Sequence, residues 1–287
     1  KVKAPTDPMF NNALGFLYIR LMKKILISVF VCCWGGVFGQ GGLGSVVLPG
    51  NATCANEYIN VSPCDGADSI TYNGHTYGLV EIGGQCWFRE NLKTTIYSDS
   101  SPIDYPGTDV TGWENNSSGA YAWYDNDSTT HAPDYGALYS WNAVNNSAGL
   151  CPTGWHVPTD CEWMYLEDTL GMSTTDQDTT GWRGTDEGDK LKETGTTHWP
   201  SPNTGTNSSG FTGLPGGLRY ATGPFYNFEI AGGWWSSTES STSNGWYRIM
   251  DYDKIKVGRW DYAKVFGFSV RCVKGTVTNP TGLKESI

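Results

Sequence analysis

The apolar and polar positions of the chain divide it into one short hydrophobic block and a long remainder of alternating, turn-punctuated segments. Residues 22–40 read MKKILISVFVCCWGGVFGQ: two lysines, an unbroken apolar run, then small residues. That is the layout of a secretory signal peptide, with Lys23 and Lys24 as the charged part, residues 25–34 as the apolar part, and cleavage expected after residue 39. The run falls short of the ~20 residues a spanning helix needs, so no membrane insertion is expected after cleavage. Residues 1–21 precede this start and are read as an over-extended N-terminus, with translation beginning at Met22.

Past the signal, residues 40–69 form a Gly-, Ser- and Asn-rich looped lead-in. Residues 69–72 (SITY) and 75–82 (HTYGLVEI) flank Asn73-Gly74. Both turn positions tolerate positive φ, so this spacing predicts a tight type I′ hairpin. Gly83-Gly84 then turns the chain into a third strand at 85–88. Residues 98–134 are polar and turn-rich, and read as long loops. Residues 135–144 place Ala137, Leu138 and Trp141 on one side, as a short helix would.

The best-specified element follows. Thr159 and Glu162 have the spacing of a capping box. Trp163, Leu166 and Leu170 fall at i, i+3 and i+7, and Gly171 closes the helix. After residue 180, segments 211–214, 233–237, 246–252 and 266–273 read as strands of one antiparallel sheet. No regular helix–strand alternation occurs, which argues against a parallel α/β sheet. The polar end, 275–287, contains Pro280 and reads as a C-terminal linker.

Composition narrows the function classes. The part after residue 39 carries 14 basic against 28 acidic residues. Binding to nucleic acid, or to an anionic membrane surface, needs the opposite balance. Cys54, Cys64, Cys86, Cys151, Cys161 and Cys272 remain after processing. An even number in an exported chain reads as three disulfides, with 15 possible pairings. No pair has CxxC spacing, and the four histidines form no ligand-like repeat with them, which disfavours a zinc site.

The motifs IGGQCWFRENLKTTIY, YGALYSWNAV, LCPTGWHVPTDCEW, DKLKETGTTHW, FTGLPGGLR, GGWWSSTES and GFSVRCV follow one another along the chain. Together they resemble the Fib_succ_major (FISUMP) paralogous domain, over residues 70–274. That family is found in exported bacterial proteins and is similar to C-type-lectin-like folds, with WHVPTDCEW and GFSVRC resembling the formylglycine-generating-enzyme branch. The resemblance implies an α+β, C-type-lectin-like fold. Two short helices would pack on a twisted antiparallel sheet with long loops. It also implies the pairings Cys151–Cys272, Cys86–Cys161 and Cys54–Cys64. The first would stabilise the fold by about 4–5 kcal/mol in the chain-entropy model. The reactive cysteines of that enzyme branch have no counterpart here beyond Cys272, and the calcium motifs of sugar-binding lectins are absent, WWSSTES standing in their place.

No catalytic residues are assigned: Glu162 is explained by its cap, and no G-x-S-x-G elbow occurs. The acids Glu239, Asp251 and Asp253 offer a weak candidate calcium site, calcium being the one cofactor considered. The strongest functional feature is the aromatic-rich C-terminal half, where Tyr226, Asn227, Trp246, Tyr252, Trp260 and Tyr262 mix rings with short polar neighbours. Such surfaces give large contact area at low entropic cost. The reading is a secreted or cell-surface, non-catalytic recognition or adhesion module whose partner is a glycan or a surface protein. A structural envelope protein without a discrete ligand is the alternative, and a polysaccharide-acting enzyme a distant third.

Overall fold

A computed structural model describes residues 62–275. The signal segment 22–39, residues 1–21, the lead-in as far as residue 61, Cys54 and tail residues 276–287 lie outside the described residues. In chain order the strands are β1 (Ser69–Tyr72), β2 (His75–Ile82), β3 (Gln85–Phe88), β4 (Tyr121–Ala122), β5 (Leu138–Ser140), β6 (Trp155–His156), β7 (Gly181–Arg183), β8 (Gly216–Arg219), β9 (Phe225–Phe228), β10 (Ala231–Glu239), β11 (Asn244–Asp251), β12 (Val257–Ala263), β13 (Gly267–Phe268) and β14 (Val273–Lys274). The helices are α1 (Val110–Glu114), α2 (Ser128–Tyr135), α3 (Trp141–Val144), α4 (Asp160–Thr169), α5 (Thr174–Gln177) and α6 (Glu187–Leu191), with a 3-10 turn at Tyr124–Asn126.

The described residues are α+β, with two sheets. One runs β1-β2-β3-β14-β6; the other runs β4-β5-β13-β8-β10-β11-β12-β7, with β9 attached to β8. Pairings between these strands are antiparallel except β8 with β10. The expected hairpin and third strand are found at the expected residues, and Asn73 and Gly74 both have positive φ (48° and 79°). The helix at α4 carries both halves of its capping box, and Gly171 follows it at φ 107°. Its Trp163 and Leu166 meet Trp87 of β3, Trp234 of β10, Met250 of β11 and Val273 of β14 in the main core, so α4 packs against strands of both sheets.

Several expectations are corrected. Residues 98–134 include α1, β4 and most of α2, each too short to show a period in sequence. Residues 135–144 divide into β5 and the one-turn α3, because Gly136 at φ 72° breaks the helix. Segment 211–214 forms only an isolated bridge at Gly213, the strand coming later as β8. Segment 266–273 splits between the sheets, β13 joining one and β14 the other.

Cys151 is bonded to Cys272, across 121 residues. The other implied pairings are overturned, because Cys64 is bonded to Cys86. The Cys64 backbone N–H donates to Glu81 at 2.9 Å, and Glu81 stands opposite Cys86 in the β2–β3 ladder. The turn before β1 is thereby held against β3. Cys161 is oxidised in a separate disulfide.

Charge fixes α4 on the larger sheet. Arg248 of β11 and Arg259 of β12 stand directly opposite each other, both buried. Arg248 donates to Asp160 (2.5 Å) and Glu167 (2.7 Å), one at each end of α4. Arg259 donates to Asp160 (2.6 Å), and Arg183 of β7 to Glu167 (2.7 Å). Asp178, 3.5 Å from Arg259, gives three acids for three guanidiniums. Burial alone would raise the Asp160 pKa, but Arg248 and Arg259 outweigh it and hold it at about 2.

His156 fastens the start of the same helix. Its Nε2 lies 2.7 Å from Glu162 and its Nδ1 2.9 Å from the Gly275 carbonyl. An imidazole with an acceptor at each nitrogen satisfies both only when doubly protonated. Burial opposes that charge, yet the bonds to Glu162 and Gly275 prevail and its pKa is raised.

Two predictions follow from these contacts. Asp160→Asn leaves two buried guanidiniums short of a counter-charge, and should cost about 3–5 kcal/mol in urea unfolding. The depressed Asp160 pKa adds stability above about pH 4 that is lost as pH falls toward 2; the variant should lack this acid-side loss. A cost below about 1 kcal/mol would mean that the guanidiniums are satisfied without it. For His156 the sign is reversed. Its contribution is complete below its unfolded pKa near 6.5 and disappears as pH rises through the raised folded value. Urea midpoints of the wild type should fall across that window, and those of His156→Gln should change less.

Candidate functional site

The sheet β10-β11-β12-β7 has two faces of different character. Alternation puts Trp234, Arg248, Arg259 and Trp246 on the face toward α4, and Trp235, Tyr247, Trp260, Tyr262 and Trp182 on the other. On this second face, Phe268 of β13 stacks on Tyr247 at 4.5 Å and meets Trp235 at 4.7 Å. Trp141 lies against Gly245, where a Cβ would come within 2.4 Å of the indole. Tyr247 and Trp235 are therefore buried, whereas Trp260, Tyr262 and Trp182, nearer the sheet edge, are only half-buried.

Trp260 and Trp182 form a corner, with ring centroids 5.2 Å apart and planes at 86°. Gly258 makes this possible. A Cβ there would stand 2.0 Å from Cζ3 of Trp260 and 2.5 Å from Ile249, so any larger residue would lift the indole off the strand. Trp182 lies opposite Gly258 in the β7–β12 ladder and forms the wall. From this corner the rings continue along the sheet. Tyr262 meets Phe266 at 4.1 Å, Phe266 meets Tyr220 at 4.5 Å, and Tyr220 meets Tyr226 at 5.9 Å. Tyr226 is 39% exposed.

The structure thus brings Trp260, Tyr262 and Tyr226 onto one aromatic band and separates the other three candidates from it. Trp246 is on the α4 face, with the Arg259 guanidinium 3.8 Å from its ring centroid. Tyr252 packs against the main core. Asn227 lies within β9 at φ 61°, its carbonyl accepting from the Ile230 N–H of the turn that follows. Trp182 was missed in sequence, because its strand is three residues long and joins the edge by a pairing that no local pattern encodes.

Register does not bring the candidate calcium ligands Glu239, Asp251 and Asp253 together. Asp251 pairs with Ala231 at one end of the β10–β11 ladder and Glu239 with Gly245 at the other, about 20 Å away. Glu239 is engaged by Lys264 at 2.5 Å and Asp253 by Lys254 at 2.9 Å. A cation already occupies the turn after β11. The buried Lys192 ammonium donates to the carbonyls of Asp251 (3.0 Å), Tyr252 (3.4 Å) and Lys254 (2.8 Å), and pairs with Asp189 at 3.1 Å. Burial first, then repulsion from Asp253, pushes the Asp251 pKa up to about 6. Among the described residues no group of three or more His, Cys, Asp or Glu is placed to hold a metal ion, and no helix is long and apolar enough to cross a membrane.

Comparison with known proteins adds one match. The model of the Fibrobacter succinogenes major domain matches residues 80–274, from the middle of β2 to the end of β14. No curated protein and no solved structure matches the chain. The matched stretch includes α4, its arginine partners and the whole aromatic band, and on that match the chain belongs to the Fib_succ_major family.

Proposed function

We propose that this chain is an exported, non-catalytic recognition module that binds a glycan through the open aromatic face of β12 and β7. The observation that carries this reading is the Trp260–Trp182 corner: a half-buried indole laid along a strand over a glycine, with a second indole upright beside it. Sugar rings present flat C–H faces that stack on indoles, and a flat ring beside an upright one holds such a face from two sides. Tyr262 and Tyr226 extend the surface beyond one sugar.

Other features support the remaining parts. Two long-range disulfides suit a chain that works in an oxidising compartment, at the cell surface or secreted. A helix clamped on a twisted antiparallel sheet, with the last strand tied back by Cys151–Cys272, suits a lectin-like architecture. Non-catalysis is favoured because His156 is committed to Glu162 and Asp160 to two arginines.

Purified, oxidised protein on a glycan array should show saturable binding to one glycan class. Trp260→Ala and Trp182→Ala should each weaken it about tenfold or more, as expected for central aromatic anchors. Trp246→Ala, on the other face, should leave affinity within about twofold. Silence across the array from folded protein would favour a surface protein as partner, or a structural envelope role. Turnover of a bound polysaccharide would overturn the non-catalytic reading.

A further inference from the structure

A cleft of about 170 Å³ lies apart from the aromatic face, between residues 89–91, 133–134, 212–214 and Arg271. Its chemistry is set by an unusual arginine. Five arginines are buried among the described residues, and three of them, Arg183, Arg248 and Arg259, end on carboxylates. Arg271 is 1% exposed and has no ion pair among the described residues. Its Nε donates to Asn91 Oδ1 at 3.0 Å, its Nη1 to the Phe211 carbonyl and its Nη2 to the Thr212 carbonyl at 2.8 Å. A guanidinium carries five N–H groups, so one on each Nη is left over. Both buried arginines without an ion pair stack on rings, Arg219 on Trp113 and Phe225 at 4.2 and 5.1 Å and Arg271 on Phe211 at 4.0 Å. Arg271 alone of the two lines this cleft.

Burying a guanidinium without a counter-charge is costly. Burial, only partly offset by Glu90, presses the Arg271 pKa down to about 9. An anion entering the cleft would restore that balance. A simple anion, however, would also meet Glu90 and Asp134, which line the same cleft. Glu90 accepts from the Gly78 N–H at 2.7 Å, and the exposed Asp134 stands 4.0 Å from His198 Nε2. The cleft therefore has a buried positive end and acidic walls, with the exposed Arg89 also lining it and Leu214 and Pro133 supplying apolar surface.

We infer that this cleft binds a small zwitterion of the α-amino-acid class, its carboxylate on the two spare N–H groups of Arg271 and its ammonium against Glu90 and Asp134. A carboxylate is the planar, two-oxygen acceptor that a guanidinium pairs best. The ammonium satisfies the acids that would repel a plain carboxylate. Leu214 and Pro133 would flank a short aliphatic side chain, and the volume suits a small amino acid. This site does not depend on the glycan reading.

Calorimetry of the oxidised full chain with L-alanine, acetate and methylammonium tests it. L-alanine should bind saturably, and acetate and methylammonium each about tenfold or more weakly. Asp134→Asn and Glu90→Gln should weaken L-alanine about two- to fivefold or more while not weakening acetate. Arg271→Lys should abolish L-alanine binding in protein that keeps its near-ultraviolet dichroism. If that variant does not fold, the two acid variants decide. Trp260→Ala should bind L-alanine like wild type, which separates this site from the aromatic face. Absence of L-alanine binding at millimolar concentration, acetate binding as tightly as L-alanine, or indifference to both acid variants would each overturn the inference.

Discussion

Arg248 and Arg259 face each other across β11 and β12 in the interior, and everything around them follows from how they are neutralised. Two like charges side by side on a buried sheet face oppose folding by several kcal/mol each unless carboxylates meet them. Asp160 and Glu167 do so from one helix, two turns apart, and Arg183 closes the set from β7. The network therefore fixes three things together: the angle of α4, its distance from the sheet, and the attachment of the three-residue edge strand β7. Apolar packing of Trp163 and Leu166 supplies attraction without direction. The ion pairs supply the direction, because bidentate guanidinium contacts allow little rotation.

This arrangement leaves the opposite face of the sheet free for another use. With α4 and the charges on one side, Trp260, Tyr262 and Trp182 must project from the other. The cover on that side, Phe268 and Trp141, reaches Tyr262 in β12 but leaves Trp260 and Trp182 half-buried. Stability and exposure are thus separated by the two-residue alternation of the strands. The same arginine that neutralises Asp160 shields one face of Trp246, which is why a tryptophan that looked like part of a ligand surface serves the fold. Of the 12 tryptophans after residue 39, seven are nearly fully buried, so in a chain poor in Leu and Ile they are first of all core residues.

What could be read from sequence was what is encoded locally. The β1–β3 meander was legible because Asn73-Gly74 and Gly83-Gly84 mark its turns, and α4 because Thr159 and Glu162 cap it three residues apart. Residues 266–273 were not legible as two strands, because Gly267-Phe268 and Val273-Lys274 serve different sheets, and sheet membership is not written in a strand's own alternation. The same holds for the ion network, whose contacts of α4 with β11 and β12 join residues 81 to 99 apart. The aromatic band was half legible: Trp260 and Tyr262 share a strand, while Trp182 reaches them only through pairing with Gly258. The distance of Glu239 from Asp251 and Asp253 was not legible because it is set by register, nor was the Lys192 ammonium in their turn, which comes from some sixty residues upstream.

Charge also constrains what the aromatic face can accept. Among the described residues six basic side chains are buried, Arg183, Lys192, Arg219, Arg248, Arg259 and Arg271, against six acidic ones, Asp160, Glu162, Glu167, Glu187, Asp189 and Asp251. The described interior is balanced, so the acidic surplus of the described residues falls on their less buried parts, where acids outnumber bases more steeply than in the described residues as a whole. A polyanionic glycan rich in uronate or sulfate would approach against that field, and most of all at low salt, where screening is weakest. Stacking on indole needs no charge and is unaffected by it. On the proposed glycan reading, the surface that the fold exposes and the charge that it leaves outside therefore favour a neutral glycan held by ring contact.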